Sequence, residues 1–217
     1  MSDIINEINA VHREVGRREF PSGPGRTVVL RRTYDAPIDD VWDAVTNPER
    51  LNRWFLPVTG DFRLGGKYQL EGNAGGEILR CEPPRLLAVT WIFGDPEQTG
   101  ASEVEVRLSS GTDGDTVFEL VHAATDDPER WAEYGPGAVG VGWDLAVLGL
   151  SLHLRGESIE DPRAWEVSPE AREFATASSN AWGAANEAAG ATSAEAAKAV
   201  ANTTAFYAPD PAAQPDA

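Results

Sequence analysis

Few side chains in this sequence could perform acid–base chemistry. Glu119 and His122 lie in the last predicted strand, and Asp144 lies in a long apolar segment. A carboxylate beside an imidazole could move protons to and from a substrate. On a strand, however, residues three positions apart point to opposite faces, so Glu119 and His122 do not form such a pair. Asp144 is interpreted as facing solvent or capping a neighbouring loop. The pattern favours a protein that is not an enzyme.

The sequence has no motif typical of a metal site or of a phosphate-binding loop. None of the 3 histidines has a second ligand at helical or zinc-finger spacing. A single cysteine, Cys81, excludes an internal disulfide and a cysteine-based zinc site. The glycine pairs at 65–66 and 75–76 are typical of hairpins, because no Lys-Ser/Thr follows them into a helix. We expect no metal and no cofactor.

Large apolar side chains are the other candidates for a site. We interpret a set of them as the lining of a cavity for a small hydrophobic or amphipathic molecule, since such pockets are mainly apolar. The same spacings are typical of a packed core, and periodicity does not distinguish a filled interior from a hollow one. The candidate ligand-binding residues are Trp54, Phe55, Trp91, Phe93, Phe118, Leu120, Trp143 and Val147.

The segment from Tyr134 to Leu154 predicts one long helix that positions these residues. Apolar residues recur at three- and four-residue steps and also occupy the opposite side, so the helix must be buried, with Trp143 facing a sheet. Pro136 fits its first turn. Each of its glycines weakens a helix by about 1 kcal/mol, which is tolerable where a sheet or a ligand approaches closely, and they favour a hollow interior. Asp144 and the glycines argue against a membrane span.

The remaining elements predict a sheet around this helix. A strand from Thr27 to Tyr34 precedes two short helices, one over 38–45 and one that Asn47-Pro48 opens. From Asp61 the period changes to two, and short links favour antiparallel neighbours. We predict an α+β fold in which a curved antiparallel sheet of about six or seven strands wraps round a long C-terminal helix. The later strands are FRLGGKYQL, GEILRCE, RLLAVTWIF, SEVEVRL and DTVFELVHA.

Several of these segments together resemble a known superfamily. The segments are VVLRRTYDAPIDDVWDAVTNPERLNRWF, GDFRLGGKY, GGEILRCEPPRLLAVTW and GWDLAVLGLSLHL. They resemble the SRPBCC (START-like, helix-grip) superfamily, and within it the bacterial branch homologous to the C-terminal domain of the activator of the ninety-kilodalton heat-shock ATPase. The resemblance covers roughly residues 26–154 and implies the helix-grip fold. It implies less about function, because this fold hosts ligand binders, cyclases and co-chaperones.

Extra helices are predicted before and after the helix-grip domain in the sequence. Residues 1–25 are interpreted as an N-terminal helix over 3–16 followed by a linker, in which PSGPG ends the helical appendage. Residues 26–156 are interpreted as the helix-grip domain. Residues 157–207 form a C-terminal helical extension, and residues 208–217 a disordered tail. Because the extension has few large side chains, we expect it to pack either beside the N-terminal helix or on a second subunit, the former being preferred.

Composition limits the possible partners. The chain has 217 residues and a net charge of -17, which argues against nucleic acid and anionic membrane surfaces. The arginines at 26, 31 and 32 are interpreted as a solvated strand face. The first residues lack the basic region and hydrophobic run of a secretory signal, which predicts a cytoplasmic location. The sequence does not indicate the oligomeric state.

Three functions follow in order of preference. The first is binding of a small hydrophobic or amphipathic molecule between sheet and long helix. The second, implied by the resemblance, is a co-chaperone-like regulator of the heat-shock ATPase. The third is a polyketide-cyclase-like enzyme, which the absence of a polar constellation disfavours.

Overall fold

A computed structural model describes residues 4–94 and 100–209, with side chains described from residue 6 onward. The strands are β1 His12–Phe20, β2 Gly23–Tyr34, β3 Val58–Gly60, β4 Lys67–Leu70, β5 Gly75–Glu82, β6 Leu86–Thr90, β7 Ser102–Ser110 and β8 Thr116–Thr125. The helices are α1 Ile4–Asn9, α2 Ile38–Thr46, α3 Pro48–Trp54, α4 Pro128–Tyr134, α5 Gly137–Leu154, α6 Pro162–Glu166, α7 Pro169–Ala188 and α8 Ser193–Tyr207. From residue 210 on, the predicted disordered tail lies outside the described residues.

The strands form a single sheet in the order β1-β2-β8-β7-β6-β5-β4-β3. Neighbouring strands from β2 to β3 in this order run antiparallel. The predicted α+β class and antiparallel sheet are confirmed, and the sheet has 8 strands. The two that the sequence pattern missed are β1 and β3, which occupy the edges.

The N-terminal prediction was wrong in one respect. The helix predicted over 3–16 ends at Asn9, and residues 12–20 form β1 instead. The PSGPG segment does not end an appendage, because it leads from β1 into β2 at Gly23. Gly16 fits this pairing closely, since a Cβ there would lie 2.7 Å from the Thr27 hydroxyl oxygen. Tertiary pairing with β2 thus overrides the helical spacing of Val11 and Val15.

Local capping signals were interpreted correctly from the sequence. The Asn47 side chain accepts a hydrogen bond from the Glu49 N–H at 3.0 Å, and Pro48 occupies the first turn of α3. Thr192 and Glu195 form the predicted capping box of α8. These side chains satisfy backbone N–H groups that a helix leaves unpaired at its start.

The chain divides into two compact units, and each is discontinuous in sequence. Of the described residues, the sheet unit comprises 16–94, 100–126 and 146–158, and the helical unit comprises 4–15, 127–145 and 159–209. Helix α5 contributes residues 137–145 to the helical unit and 146–154 to the sheet unit. The linear boundaries after residues 25, 156 and 207 remain a proposal.

The helical unit explains where the C-terminal helices pack. Helix α7 contacts α1, α6 and α8, and α8 also contacts α4. Phe174 and Trp182 of α7 are almost completely buried. The expectation that the extension packs beside the N-terminal helix is therefore confirmed within this unit.

By length and composition, one described helix, α5, could cross a membrane. The core helix of a soluble protein meets the same two criteria. Several of its side chains, such as Val141, Val147 and Leu150, are buried inside the protein.

Candidate functional site

The inner face of the sheet unit is the face on which the apolar residues of the central strands meet. In β8, burial alternates so that Phe118, Leu120 and His122 are buried while Glu119 points the other way. This confirms that Glu119 and His122 lie on opposite faces. The register places Val28 and Val104 on either side of His122, and Leu30 beside Leu120. The face is therefore an apolar surface with one imidazole set into it.

His122 has a hydroxyl partner on the neighbouring strand. The distance from its Nε2 to the Ser102 Oγ is 2.9 Å. Both residues are buried, at 8% and 6% exposure. Burial lowers the pKa of His122 to about 4, because a charged imidazolium loses its hydration there. At neutral pH the ring is uncharged, and the pair offers either a donor or an acceptor depending on the tautomer.

A second polar group lies four positions from the Val28–His122 pair along β2 and β8. Arg32 of β2 pairs with Phe118 in the register and is 8% exposed. Its Nη2 donates to the Ser151 Oγ at 2.8 Å, and its guanidinium lies 5.2 Å from the centre of the Tyr34 ring. The interpretation of Arg32 as part of a solvated strand face was wrong. Counting by two from Leu30 places it on the buried side.

Tyr34 and Val147 connect the inner face to the second half of α5. The Tyr34 hydroxyl donates to the Val147 carbonyl oxygen at 3.1 Å. The Tyr34 ring meets Phe118 edge to face at 5.8 Å. Val147 is 2% exposed, so this predicted lining residue is enclosed by protein. Phe118, Leu120 and Val147 are thus buried side chains of the sheet unit, and their role as the lining of a ligand cavity stays a prediction.

Half-buried aromatic side chains occupy other parts of the sheet unit. Trp54 and Phe55 stack at 5.4 Å, and the Trp54 indole N–H donates to the Ala44 carbonyl oxygen at 3.0 Å. Trp91 follows β6, and its backbone N–H donates to the Ser102 carbonyl oxygen at 2.8 Å. The backbone of Trp91 is thereby fixed next to the residue that pairs with His122. Its ring lies 6.5 Å from that of Tyr68, whose pKa is raised by burial.

The two other predicted lining residues differ in exposure. Phe93 is 64% exposed, so it does not form part of the buried surface. Trp143 is 8% exposed and belongs to the helical unit. Their role in ligand binding stays a prediction.

Two glycines of α5 allow other parts of the protein to approach the helix closely. A Cβ at Gly149 would lie 2.7 Å from the Trp54 carbonyl oxygen in the sheet unit. In the helical unit, a Cβ at Gly140 would lie 2.3 Å from the Trp182 ring. Since real Cβ atoms do not approach other atoms so closely, these positions need glycine because of packing. The glycine pattern therefore no longer favours a hollow interior.

Asp144 is the centre of a buried cluster in the helical unit. Its carboxylate accepts hydrogen bonds from Arg13 Nε at 3.0 Å and Nη2 at 3.0 Å, and from the Trp182 indole N–H at 3.0 Å. The Ser178 hydroxyl donates to it as well. Burial raises the pKa of Asp144, and the charge of Arg13 and these hydrogen bonds oppose that effect. The interpretation of Asp144 as solvent-facing or loop-capping was wrong.

The described residues, 4–94 and 100–209, contain no group of three or more His, Cys, Asp and Glu side chains that could hold a metal ion. The polar chemistry of the inner face consists of an imidazole, hydroxyls and a guanidinium. These groups can orient a bound molecule through hydrogen bonds.

Sequence reasoning missed Ser102, Arg32 and Ser151. A period-two count predicts Arg32, because TVVLRRTY places it on the same face as Val28, Leu30 and Tyr34. The same count along SEVEVRL places Ser102 beside Val104. Ser151 had no such signal, because α5 is apolar on nearly all sides.

Comparison with known proteins identifies the family. A family model described as "Activator of Hsp90 ATPase homolog 1-like protein" matches residues 35–154, more than half of the chain. The crystal structure of CalU16 from Micromonospora echinospora is 39% identical, covers 82% of this chain and 99% of that chain, and has a TM-score of 0.67. Its solution NMR structure is 38% identical, with 89% and 97% covered and a TM-score of 0.65.

More distant similarity shows the fold alone. The crystal structure of PFC0360w, an HSP90 activator from Plasmodium falciparum, is 23% identical, covers 60% of this chain and 96% of that chain, and has a TM-score of 0.52. No curated protein matches the chain. The resemblance found in the sequence motifs is confirmed by the family model and by CalU16. The chain belongs to the family of activator of Hsp90 ATPase homolog 1-like proteins, within the helix-grip SRPBCC superfamily.

Proposed function

We propose that the protein binds a small hydrophobic or amphipathic molecule on the inner face of the sheet unit. The observation that supports this most is the His122–Ser102 pair, two buried polar groups 2.9 Å apart on a face formed by residues such as Val104 and Leu120. Burying polar groups costs free energy unless they are hydrogen-bonded. Ligand sites are mainly apolar with a few placed polar groups, and this face has that composition.

The pair would act as the polar anchor of the ligand. At neutral pH the uncharged His122 and the Ser102 hydroxyl can pair with a hydroxyl or carbonyl oxygen of the bound molecule. The half-buried Trp91, whose backbone is bonded to Ser102, supplies an aromatic surface beside them. Aromatic side chains contribute a large apolar area at such sites. The ligand class is therefore a flat or elongated apolar molecule with one polar end.

The experiment is a binding screen with a matched pair of serine variants. Flavonoids, fatty acids and aromatic polyketides are titrated against the full chain by native mass spectrometry and thermal shift. Ser102→Ala removes the anchor from the inner face, whereas Ser109→Ala changes an exposed serine on the same strand. We expect Ser102→Ala to weaken binding about tenfold, since one hydrogen bond contributes about 1.4 kcal/mol. Ser109→Ala should bind like the wild type.

Two results would contradict this proposal. One is that no member of the three ligand classes binds, and that the purified protein carries no small molecule. The other is that binding occurs but Ser102→Ala and Ser109→Ala behave alike. In the second case, the bound molecule would lie elsewhere on the chain.

A second candidate function is regulation of the heat-shock ATPase, which the family description favours. The supporting observation in the sheet unit is a group of exposed apolar side chains, Phe62, Leu64 and Leu79, at 48%, 65% and 36% exposure. The Gly65 N–H donates to the Ile78 carbonyl oxygen at 2.8 Å, which places the 62–66 loop alongside β5. Exposed apolar groups of this kind mark protein interaction sites.

One assay distinguishes the two candidate functions. Purified ATPase of the ninety-kilodalton heat-shock class is tested for co-precipitation and for a change in its ATP turnover. Leu64→Ser should abolish either effect, and Val167→Ser, at a similarly exposed position in the helical unit, should not. Absence of co-precipitation with the wild-type chain would rule out this candidate and leave the ligand-binding proposal unaffected.

A further inference from the structure

The outer face of the sheet unit carries a groove of about 440 Å³ on the side opposite His122. Its volume is within the range of about 300–1,000 Å³ that is typical of small-ligand sites. The family resemblance and the inner-face site do not account for it. The residues that matter for its chemistry are Arg31, Arg85, Leu86, Arg107, Val117 and Glu119.

Two arginines of the groove are held in place by one carboxylate. In the register, Glu119 of β8 lies between Arg31 of β2 and Arg107 of β7. Arg31 Nε donates to Glu119 Oε2, and Arg107 Nη1 donates to Glu119 Oε1 at 3.0 Å. Partial burial acts to raise the pKa of Glu119, but Arg31 and Arg107 outweigh it, so the pKa lies below its ordinary value. The carboxylate therefore stays ionised and fixes both side chains before any ligand arrives.

Arg85 enters the groove from the turn before β6. Its backbone is anchored, because its N–H donates to the Glu82 carbonyl oxygen at 2.7 Å and its carbonyl oxygen accepts from the Leu108 N–H at 2.9 Å. Its side chain is exposed and makes no ion pair within residues 4–94 and 100–209. Three arginines and one carboxylate line the groove, and a second carboxylate, Glu105, also pairs with Arg107. The local balance is therefore one positive charge, on a chain whose net charge is -17.

We propose that this groove binds an anionic small molecule with a short aliphatic part. The anionic group, a carboxylate or a phosphate, would bind Arg85, because a guanidinium group binds either oxyanion in a bidentate manner. Arg107 would lie beside it, with its two Nη atoms held by Glu119 and Glu105. The aliphatic part would lie on Leu86 and Val117, which are half-buried in the groove wall. The site is independent of the inner-face ligand and of the proposed function.

The test uses four probes on the full-length, isotope-labelled protein. Sodium hexanoate, hexyl phosphate, inorganic phosphate and hexanol are titrated by two-dimensional NMR at low ionic strength. We expect hexanoate or hexyl phosphate to shift the amide signals of Leu86, Ser109 and Val117, and to bind more tightly than hexanol or inorganic phosphate. Which of the two amphiphiles binds more tightly distinguishes carboxylate from phosphate. Raising the salt to about 0.15 M should weaken binding, because exposed charges are screened.

Matched arginine variants make the proposal falsifiable. Arg85→Gln removes a side chain that has no ion-pair partner among the described residues, so it leaves the fold intact, and we expect it to weaken binding about tenfold. Arg163→Gln, an exposed arginine of the helical unit, should bind like the wild type. Shifts scattered over the surface, an unchanged affinity in Arg85→Gln, or equal affinity for hexyl phosphate and inorganic phosphate would each overturn the proposal.

Discussion

Removing the carboxylate of Asp144 should destabilise the protein more than any single surface substitution. The side chains of Arg13 and Asp144 are 6% and 1% exposed, and the guanidinium lies 3.0 Å from the carboxylate oxygen. In Asp144→Asn the buried guanidinium keeps only neutral partners, such as the carbonyl oxygens of Ile8 and Val11 at 3.1 Å and 2.9 Å. Breaking a buried ion pair by removing one partner costs about 3–5 kcal/mol. We therefore expect the free energy of unfolding to fall by about that amount.

A double-mutant cycle separates the ion pair from other effects of the substitution. Arg13→Met leaves the Asp144 carboxylate without its counter-charge and should cost a similar amount. The double variant contains neither charge, so its loss should be smaller than the sum of the single losses by at least about 2 kcal/mol. Urea unfolding is followed by both tryptophan fluorescence and far-ultraviolet circular dichroism, because coincident transitions are needed before a single free energy is assigned.

An exposed ion pair supplies the control for this cycle. Arg63 Nε lies 2.6 Å from the Asp61 carboxylate, and the two side chains are 75% and 54% exposed. Asp61→Asn should lower the free energy of unfolding by less than about 1 kcal/mol. If Asp144→Asn cost no more than this control, or if the two single losses simply added, burial of the pair would not determine stability and the reasoning would fail.

Four other perturbations test separate parts of the structure. The pKa of His122 is about 4 in the folded protein, against an ordinary value of 6.5, so the unfolded chain takes up the proton first as the pH falls. Between about pH 6.5 and 4 the wild type should lose about 3 kcal/mol more than His122→Gln in pH-dependent urea titrations. Val147→Trp should cost about 1–3 kcal/mol if the interior is filled, whereas unchanged unfolding curves would indicate a hollow one. Trp143→Ala should cost about 3–5 kcal/mol by the same assay, and a loss below about 1 kcal/mol would show that this side chain is not packed. Truncation after Arg163 removes Phe174 and Trp182, so calorimetry should show a lower melting temperature. An unchanged melting temperature would mean that the C-terminal helices do not stabilise the protein.

Much of the sheet could be predicted because its central strands are buried on one face. Alternation in DTVFELVHA and TVVLRRTY predicts which side chains point inward, and the short links predict antiparallel neighbours. The edge strand β1 could not be predicted in this way. Its residues, HREVGRREF, are mostly charged, which is typical of an exposed edge that must not pair with other chains. The spacing of Val11 and Val15 then fitted a helix equally well.

The buried cluster of the helical unit shows a different limit. A helix that is apolar on nearly all sides must be buried, and an ionised side chain inside it must then have a partner. The sequence therefore predicts that Asp144 is paired. It does not predict with which residue, because Arg13 is 131 positions away in the chain. The solvent-facing interpretation contradicted the burial of the helix, and burial should have been given priority.

Glycines in a buried helix indicate close approach but do not identify what approaches. The absence of a Cβ leaves room for an indole ring at Gly140 and for a backbone carbonyl group at Gly149. A ligand would need the same space, so sequence reasoning leaves the two cases equivalent. The structure distinguishes them because Trp182 and Trp54 already fill the space next to these two positions. Within the sheet unit, Trp54 occupies the space at Gly149, so the molecule that we propose for the inner face would contact Trp91 and the Ser102–His122 pair instead.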